Sequence, residues 1–264
     1  MAAHSVPACG SFAIVAVLIL AMPSTVAASE LEERTAKAFA AYADEARRAF
    51  VARATNASSR PAKPDAIRAR PGKGDGITDV PGGLVHHWVG AAFMPRITLA
   101  RAMAATRDYN SYPSVYTSTI MAAKTLETHQ DTSRVWMRIK GGGGGLTAVL
   151  DLTTTIQYVA TAPGRVYSVA NVDEVREVRN AGGRNETLLP AGRDSGYLWR
   201  GNTFTIFTEV DGGVIVEMET LGLSRRFPPM LGWIIEPIAR RLGRQSVERS
   251  LQEFASSLGA SVGK

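Results

Sequence analysis

Residues Arg134 to Tyr158 read RVWMRIKGGGGGLTAVLDLTTTIQY, and the alternation in this stretch decides the fold. Val135, Met137 and Ile139 oppose Arg134, Trp136, Arg138 and Lys140. After the pentaglycine Gly141–Gly145, Leu146, Ala148, Leu150, Leu152, Ile156 and Tyr158 oppose Thr147, Asp151, Thr153, Thr155 and Gln157. Side chains on a strand alternate between two faces, so a period of two with one apolar side predicts antiparallel strands covered on one face only.

Working outward, the same grammar recurs. Leu84 to Phe93 reads as a first strand, followed after Pro95 by a helix over Ile97–Thr106 and a short helix or turn over Asp108–Pro113. Further strands are expected at Val115–Glu127, Arg165–Val178, Gly196–Val210 and Gly213–Ser224. Asp211-Gly212-Gly213, set between two apolar runs, is a hairpin signal. The chain closes on a long amphipathic helix. Pro228-Pro229 stand at its start, and its stripe runs Leu231, Ile234, Ile235, Ile238, Leu242, then Val247, Leu251, Phe254 and Leu258. Pro237 is expected to kink it and Gly243 to loosen it. About thirty such residues need an apolar partner, and the concave face of the sheet is the one available.

Ahead of the strands lie three different regions. Ala13–Met22 is a ten-residue apolar run, too short for the roughly 20 residues that span a bilayer. It is followed by Pro23 and small residues at Val26 and Ala28, so residues 1–28 read as a signal peptide cleaved after Ala28, and the mature protein is expected to be exported, periplasmic or extracellular. Ser29-Glu30-Leu31-Glu32 has the form of a capping box opening a helix over residues 29–55, with Leu31, Thr35, Phe39, Tyr42, Ala46 and Phe50 on one stripe. Residues 56–80 break into proline, glycine and charge and read as a basic linker; residues 81–260 read as the main domain.

The chain has 264 residues, 45% hydrophobic and 20% charged, enough for one sizeable core. Its net charge of +6 does not announce nucleic acid. Arg47, Arg48, Arg53, Arg60, Lys63, Arg68, Arg70 and Lys73 face only Asp65 and Asp75 in that stretch, and outside it acids and bases balance. A nucleic-acid domain carries its basic stripe interleaved with stacking aromatics; here residues 47–76 suggest at most weak contact with an anionic membrane surface. The single cysteine, Cys9, excludes a disulfide framework and a Cys-based zinc site.

The order of one strand, two short helices, further antiparallel strands and a long closing helix, together with Asp79 to Gly90 (DVPGGLVHHWVG), Arg107-Asp108-Tyr109, Gly196 to Arg200 (GYLWR) and Leu221 to Arg225 (LGLSR), resembles the START-like superfamily, also called SRPBCC or polyketide cyclase/dehydrase and lipid-transport proteins. The resemblance covers about two-thirds of the chain, from Pro81 to Leu258, and is narrowest to an exported bacterial branch. It implies an α+β helix-grip fold: a curved antiparallel sheet of about seven strands wrapped on a long C-terminal helix, with an extra N-terminal helix. It also implies an apolar molecule or lipid held between sheet and helix, and no catalytic residue, cofactor or metal, because the superfamily has no universal catalytic motif.

Individual residues refine that expectation. His86 and His87 are adjacent on a strand, so one is expected to face the cavity and the other solvent, and they cannot chelate one metal together. Gly141–Gly145 lacks the Gly-Lys-Ser/Thr of a phosphate loop and leads into a strand rather than a helix, so it reads as a flexible hairpin connection. Glu217, Glu219, Asp151 and Asp173 are read on solvent-facing sides. Tyr109, Tyr112 and Tyr116 are placed at a cavity entrance, and Met137, Tyr158, Met218 and Trp233 are further cavity candidates. Trp199 and Arg200 are expected on opposite faces, so that one projects inward; an inward Arg200 needs an anion. The readings that follow are a non-catalytic exported carrier of an apolar small molecule, a cyclase/dehydrase-type enzyme pairing a cavity histidine with a tyrosine, and an envelope protein that binds a partner through its N-terminal helix and basic stretch.

Overall fold

The computed structural model describes residues 29–260 apart from 57, 59, 60, 144, 145 and 227–231. The leader read at residues 1–28, Pro228-Pro229 and Leu231 lie outside the described residues, as do the side chains of Ile234 and of Trp233, a cavity candidate. Twelve strands and four helices follow in order: β1 Ser29–Glu30, α1 Glu33–Thr55, β2 Arg68–Pro71, β3 Ile77–Val80, β4 Gly83–Pro95, α2 Leu99–Arg107, a 3-10 turn Tyr109–Ser111, α3 Tyr112–Val115, β5 Ile120–His129, β6 Thr132–Gly143, β7 Leu146–Ala162, β8 Arg165–Arg179, β9 Thr187–Leu188, β10 Arg193–Asp194, β11 Arg200–Val210, β12 Gly213–Arg225 and α4 Gly232–Ser257. One antiparallel sheet runs β2-β4-β12-β11-β8-β7-β6-β5, with β3 beside β4 and β9 beside β8. The arrangement is α+β and helix-grip, as the sequence resemblance implied.

The second half of α4 makes the grip. Val247, Leu251, Phe254 and Leu258, spaced four, three and four apart, are buried with Trp88, Ala92 and Met94 of β4, Phe207 of β11, and Val214 and Val216 of β12. Close approach depends on two glycines. A Cβ at Gly90 would lie 2.7 Å from Val247, and one at Gly243 would lie 2.2 Å from the Trp88 indole nitrogen. Gly243 therefore does not loosen the helix; it receives the Trp88 ring, which on its other side meets Gly76. In the first half of α4 the expected stripe is not fully buried: Ile238 is 39% exposed, and Ile235 and Leu242 are half-buried.

The other face is the main departure from the sequence reading, which covered one side only. α1 docks there through Phe39, Ala43, Ala46, Phe50 and Ala54, packed on Val85, Val169, Phe204, Ile206, Leu221 and Leu223. Thr161 and Arg165 of the β7–β8 hairpin donate to the carbonyls of Ala54, Arg53 and Asn56, satisfying orphan groups at the C-terminus of α1. The loop between β8 and β10 covers more of this face: Arg138 holds Asp151 through two hydrogen bonds and Glu186 through a third. Asp151, read as solvent-facing, is consequently buried.

Two local expectations also give way. Ser29–Glu30 do not cap α1; they pair with β10, and Glu32 at the N-cap makes no side-chain capping bond. The stretch 56–80 is not a linker throughout, because β2 and β3 within it pair end to end along β4 and complete the edge of the sheet.

Gly243→Ala tests the packing account. On an open helix this change stabilises by about 1 kcal/mol. Here the methyl meets Trp88, so chemical denaturation is expected to show a loss of about 1–3 kcal/mol instead.

Candidate functional site

The face of the sheet turned toward α4 is built in rows fixed by strand register. One row reads Gly90, Met218, Thr205, Ser168, Tyr158 across β4, β12, β11, β8 and β7. The next reads Trp88, Thr220, Thr203, Ala170, Ile156 and Ser133. In the third, His86 pairs with Gly222 and Gly222 with Gly201; Gly201 abuts Val172, and Val172, Thr154 and Val135 pair in turn. The centre of this face is thus paved with glycine, alanine, serine and threonine while its margins carry larger groups.

Small residues at the centre of a curved sheet leave depth above them. Thr203, Thr220, Ala170 and Gly222 lie on the covered side yet are only half-buried, and so are Met137, Ile139, Val172 and Met218. A Cβ added at Gly222 would meet nothing within 4 Å but the Leu198 side chain. This inner face is the candidate site, apolar at its walls with few polar groups.

One end is closed by tyrosines. Tyr109 is buried and donates to the Tyr158 hydroxyl (3.1 Å), while Tyr112 donates to the Thr106 carbonyl (2.6 Å) and stacks edge-on with Tyr109 and Tyr116. Burial raises the pKa of Tyr112, Tyr116 and Tyr158, with neighbouring acidic hydroxyls and, for Tyr116, Glu253 adding to it. All three stay protonated hydrogen-bonding groups. Ser118 donates to Glu253 of α4 through both its amide and its hydroxyl, tying that end of the helix to the β5 approach.

At the opposite margin His86 bonds Ser224 Oγ at 2.9 Å, and burial lowers its pKa to about 4, so the ring is neutral at ordinary pH. His86 and Tyr158 lie on strands separated by four intervals of about 4.8 Å, so they are roughly 19 Å apart along the sheet and cannot act as an acid–base pair.

His87 is not a cavity residue and does not face solvent. It points under α1, where its Nε2 lies 2.8 Å from Glu219 Oε1 and its Nδ1 lies 3.0 Å from the Tyr42 hydroxyl. Arg53 of α1 completes the cluster by donating to Glu219 Oε2. Glu219, read as water-facing, is 4% exposed because α1 covers it. Burial pushes its pKa up, but the bonds from His87 and Arg53 outweigh that and hold it below the ordinary value. A Cβ at Gly72 would collide with the His87 ring, so the β2–β3 loop also closes on this cluster. The geometry pins α1 to the sheet.

Trp199 and Arg200 also leave the candidate list. Trp199 lies in a bend before β11, where strand alternation does not apply, and its indole donates to Asp194 among the residues under α1. Arg200 pairs in register with Leu223, which places it on that same outer face, with its guanidinium on the Trp199 carbonyl. Among the described residues, no three of His, Cys, Asp and Glu cluster as a metal site requires, and no helix is long and apolar enough to cross a membrane. Sequence reading missed Thr154, Gly201, Gly222 and the threonine floor; the signal was available as small residues recurring in phase on strands whose alternate positions are large.

No family model matches the chain, and no curated protein does. Among solved structures it is similar to a STAR-related lipid transfer protein from Xanthomonas axonopodis (14% identity, TM-score 0.46, covering 70% of this chain and 99% of that one). It is similar as well to the Zhui aromatase/cyclase from Streptomyces (10%, 0.43, 66% and 94%) and to a START superfamily protein from Mycobacterium smegmatis (9%, 0.43, 66% and 97%).

Two titrations should be separable. His86 is neutral in the fold down to about pH 4 but takes a proton near 6.5 when unfolded, so its contribution is complete above 6.5 and is lost as pH falls toward 4. Urea midpoints are expected to fall across that window by the equivalent of about 3 kcal/mol, and His86→Gln should remove this part. Glu219, depressed in the fold, contributes above the ordinary carboxylate range and loses its contribution at lower pH, as the fold's own Glu219 is protonated. Glu219→Ala should cost about 3 kcal/mol at pH 7 by leaving His87 and Arg53 without their anion.

Proposed function

We propose that this protein binds a lipid or other apolar small molecule on the inner face of its sheet, beneath α4, without transforming it. The observation that carries the reading is the floor of Gly222, Thr203, Thr220 and Ala170: small residues at the centre of the covered face that keep accessible surface while the margins are tightly packed. Apolar surface left open inside a fold is costly unless something occupies it, and half-buried Met137, Ile139, Val172 and Met218 supply such surface.

A cyclase/dehydrase-type activity finds less support. It requires a histidine and a tyrosine within hydrogen-bond reach of one substrate. His87 is engaged under α1, and His86 lies across the sheet from the tyrosines. The partner-binding reading weakens for a related reason, since the apolar stripe of α1 is already spent on its own sheet.

The proposal extends to the protein's place in the cell. Export rests on the apolar run Ala13–Met22 and the small residues before Ser29. Weak contact with an anionic lipid surface through residues 47–76 is proposed for exposed Arg47, Arg48, Arg68 and Arg70, whereas Arg53 and Lys63 are engaged with Glu219 and the Asp211 carbonyl.

Filling the floor tests the reading. Thr203→Phe is expected to abolish co-purification of extractable lipid, read by mass spectrometry, while changing unfolding free energy by less than about 1.5 kcal/mol because open space absorbs the ring. Bound lipid that survives this substitution undiminished would place the ligand elsewhere.

A further inference from the structure

We infer that the molecule held on the inner face carries no formal charge, and that the Thr154 hydroxyl is its polar anchor. This rests on the binding reading above and adds to it the chemical class of the ligand.

The first argument is the charge census of the face itself. By register, the residues turned inward on β4, β12, β11, β8, β7 and β6 include five ionisable side chains among those described: His86, Tyr158, Glu177, Arg179 and Glu209. Arg179 and Glu209 are exposed at strand ends, and Glu209 accepts from the Leu99 amide (3.3 Å). His86 is neutral and bonded to Ser224, and the Tyr158 phenol keeps its proton. Glu177 sits at the rim, where it accepts from the Ser195 amide (2.9 Å). The undescribed side chains at 142–147 and 227–234 are glycine, leucine, threonine, phenylalanine, proline, methionine, tryptophan and isoleucine, so they add no charge.

Four ions of α2 and α4 have partners, although the buried Nε of Arg240 has none among the described residues, and Arg101, Arg241, Arg244 and Arg249 are exposed. Arg107 lies over the Tyr158 ring and pairs with Asp131; Arg240 pairs with Asp75 and Glu236; Glu248 accepts from the Ala69 amide and Glu253 from Ser118. A carboxylate or phosphate held over the centre of the face would lose its water and find no cation there to replace it, while a cation would find no unshared carboxylate there.

The second argument is an orphaned hydroxyl. Thr154 is 3% exposed on the inner side of β7, between Val135 and Val172, and its Oγ1 has no hydrogen-bond partner among the described residues. A hydroxyl that is buried without a partner is destabilising, and most such groups in folded proteins are satisfied. An uncharged hydroxyl, ester or ketone oxygen of a ligand can accept from it, and a ligand hydroxyl can also donate to it.

The experiment compares two lipids of equal chain, 1-monoolein and oleate, at pH 8, each displacing the uncharged fluorophore N-phenyl-1-naphthylamine from the full mature chain. Monoolein is expected to displace it at a concentration at least about tenfold below that needed with oleate, since the ionised carboxylate must be desolvated unpaired. Thr154→Val, which keeps shape and removes the hydroxyl, should weaken monoolein about fivefold, the displacement being corrected for the fluorophore's own affinity measured directly in the variant. Oleate binding as tightly as monoolein would overturn the neutral-ligand inference and leave the binding site standing. Unaltered monoolein affinity in Thr154→Val would remove Thr154 as the anchor. Failure of the fluorophore and both lipids to bind would overturn the site itself.

Discussion

A sheet with apolar side chains on both faces must be covered on both, and the structure follows from how that demand is met. Strands β4, β11 and β12 carry near-continuous runs, Ala91–Met94, Phe204–Phe207 and Val214–Val216, in which neighbouring residues point to opposite sides and are buried or half-buried on each. α4 takes one side and α1 the other, and the two helices meet the sheet on different terms. α4 is brought close by Gly90 and Gly243 and leaves depth over the central strands; α1 lies flush on Phe204 and Leu223 and leaves none. The cover without room pins a helix to the sheet, and the cover with room leaves small residues half-buried beneath it.

Strand order, hairpins and the closing helix were legible because they depend on local alternation and turn chemistry. The expected run Gly213–Ser224 is β12 to within one residue, and Arg165–Val178 is β8 to within one residue. What escaped was long-range. Glu219 and Asp151 oppose apolar neighbours on their strands, and the pattern alone assigns such acids to water; the rule assumes the opposite face is bare. The runs at Ala91–Met94 and Val214–Val216 were the sign that it is not.

The candidate site was half legible for the same reason. Tyr109, Tyr112, Tyr116, Met137, Tyr158 and Met218 were singled out because aromatic and sulfur-bearing groups draw notice, and His86 because it belongs to a rare pair; the structure sets them on or beside the inner face. The floor was not, since Thr203, Thr220 and Gly222 mark the site by being small, and absence of bulk acquires meaning only when register sets them side by side. Alternation left open which of His86 and His87 turns inward; the structure turns His86 inward and puts His87 not in solvent but on the side held by Arg53 and Tyr42.

The seating of α1 has a consequence for how the chain is made. Arg53 reaches an acid 166 positions further along, and the carbonyl of Asn56 waits for a guanidinium 109 positions away. α1 is therefore late to find its bed, because that bed is laid by strands synthesised more than a hundred residues after it. Until then Phe39, Phe50 and the rear of β11 are all uncovered, a sticky interval that favours handling by a chaperone and a slow final docking phase over rapid local collapse.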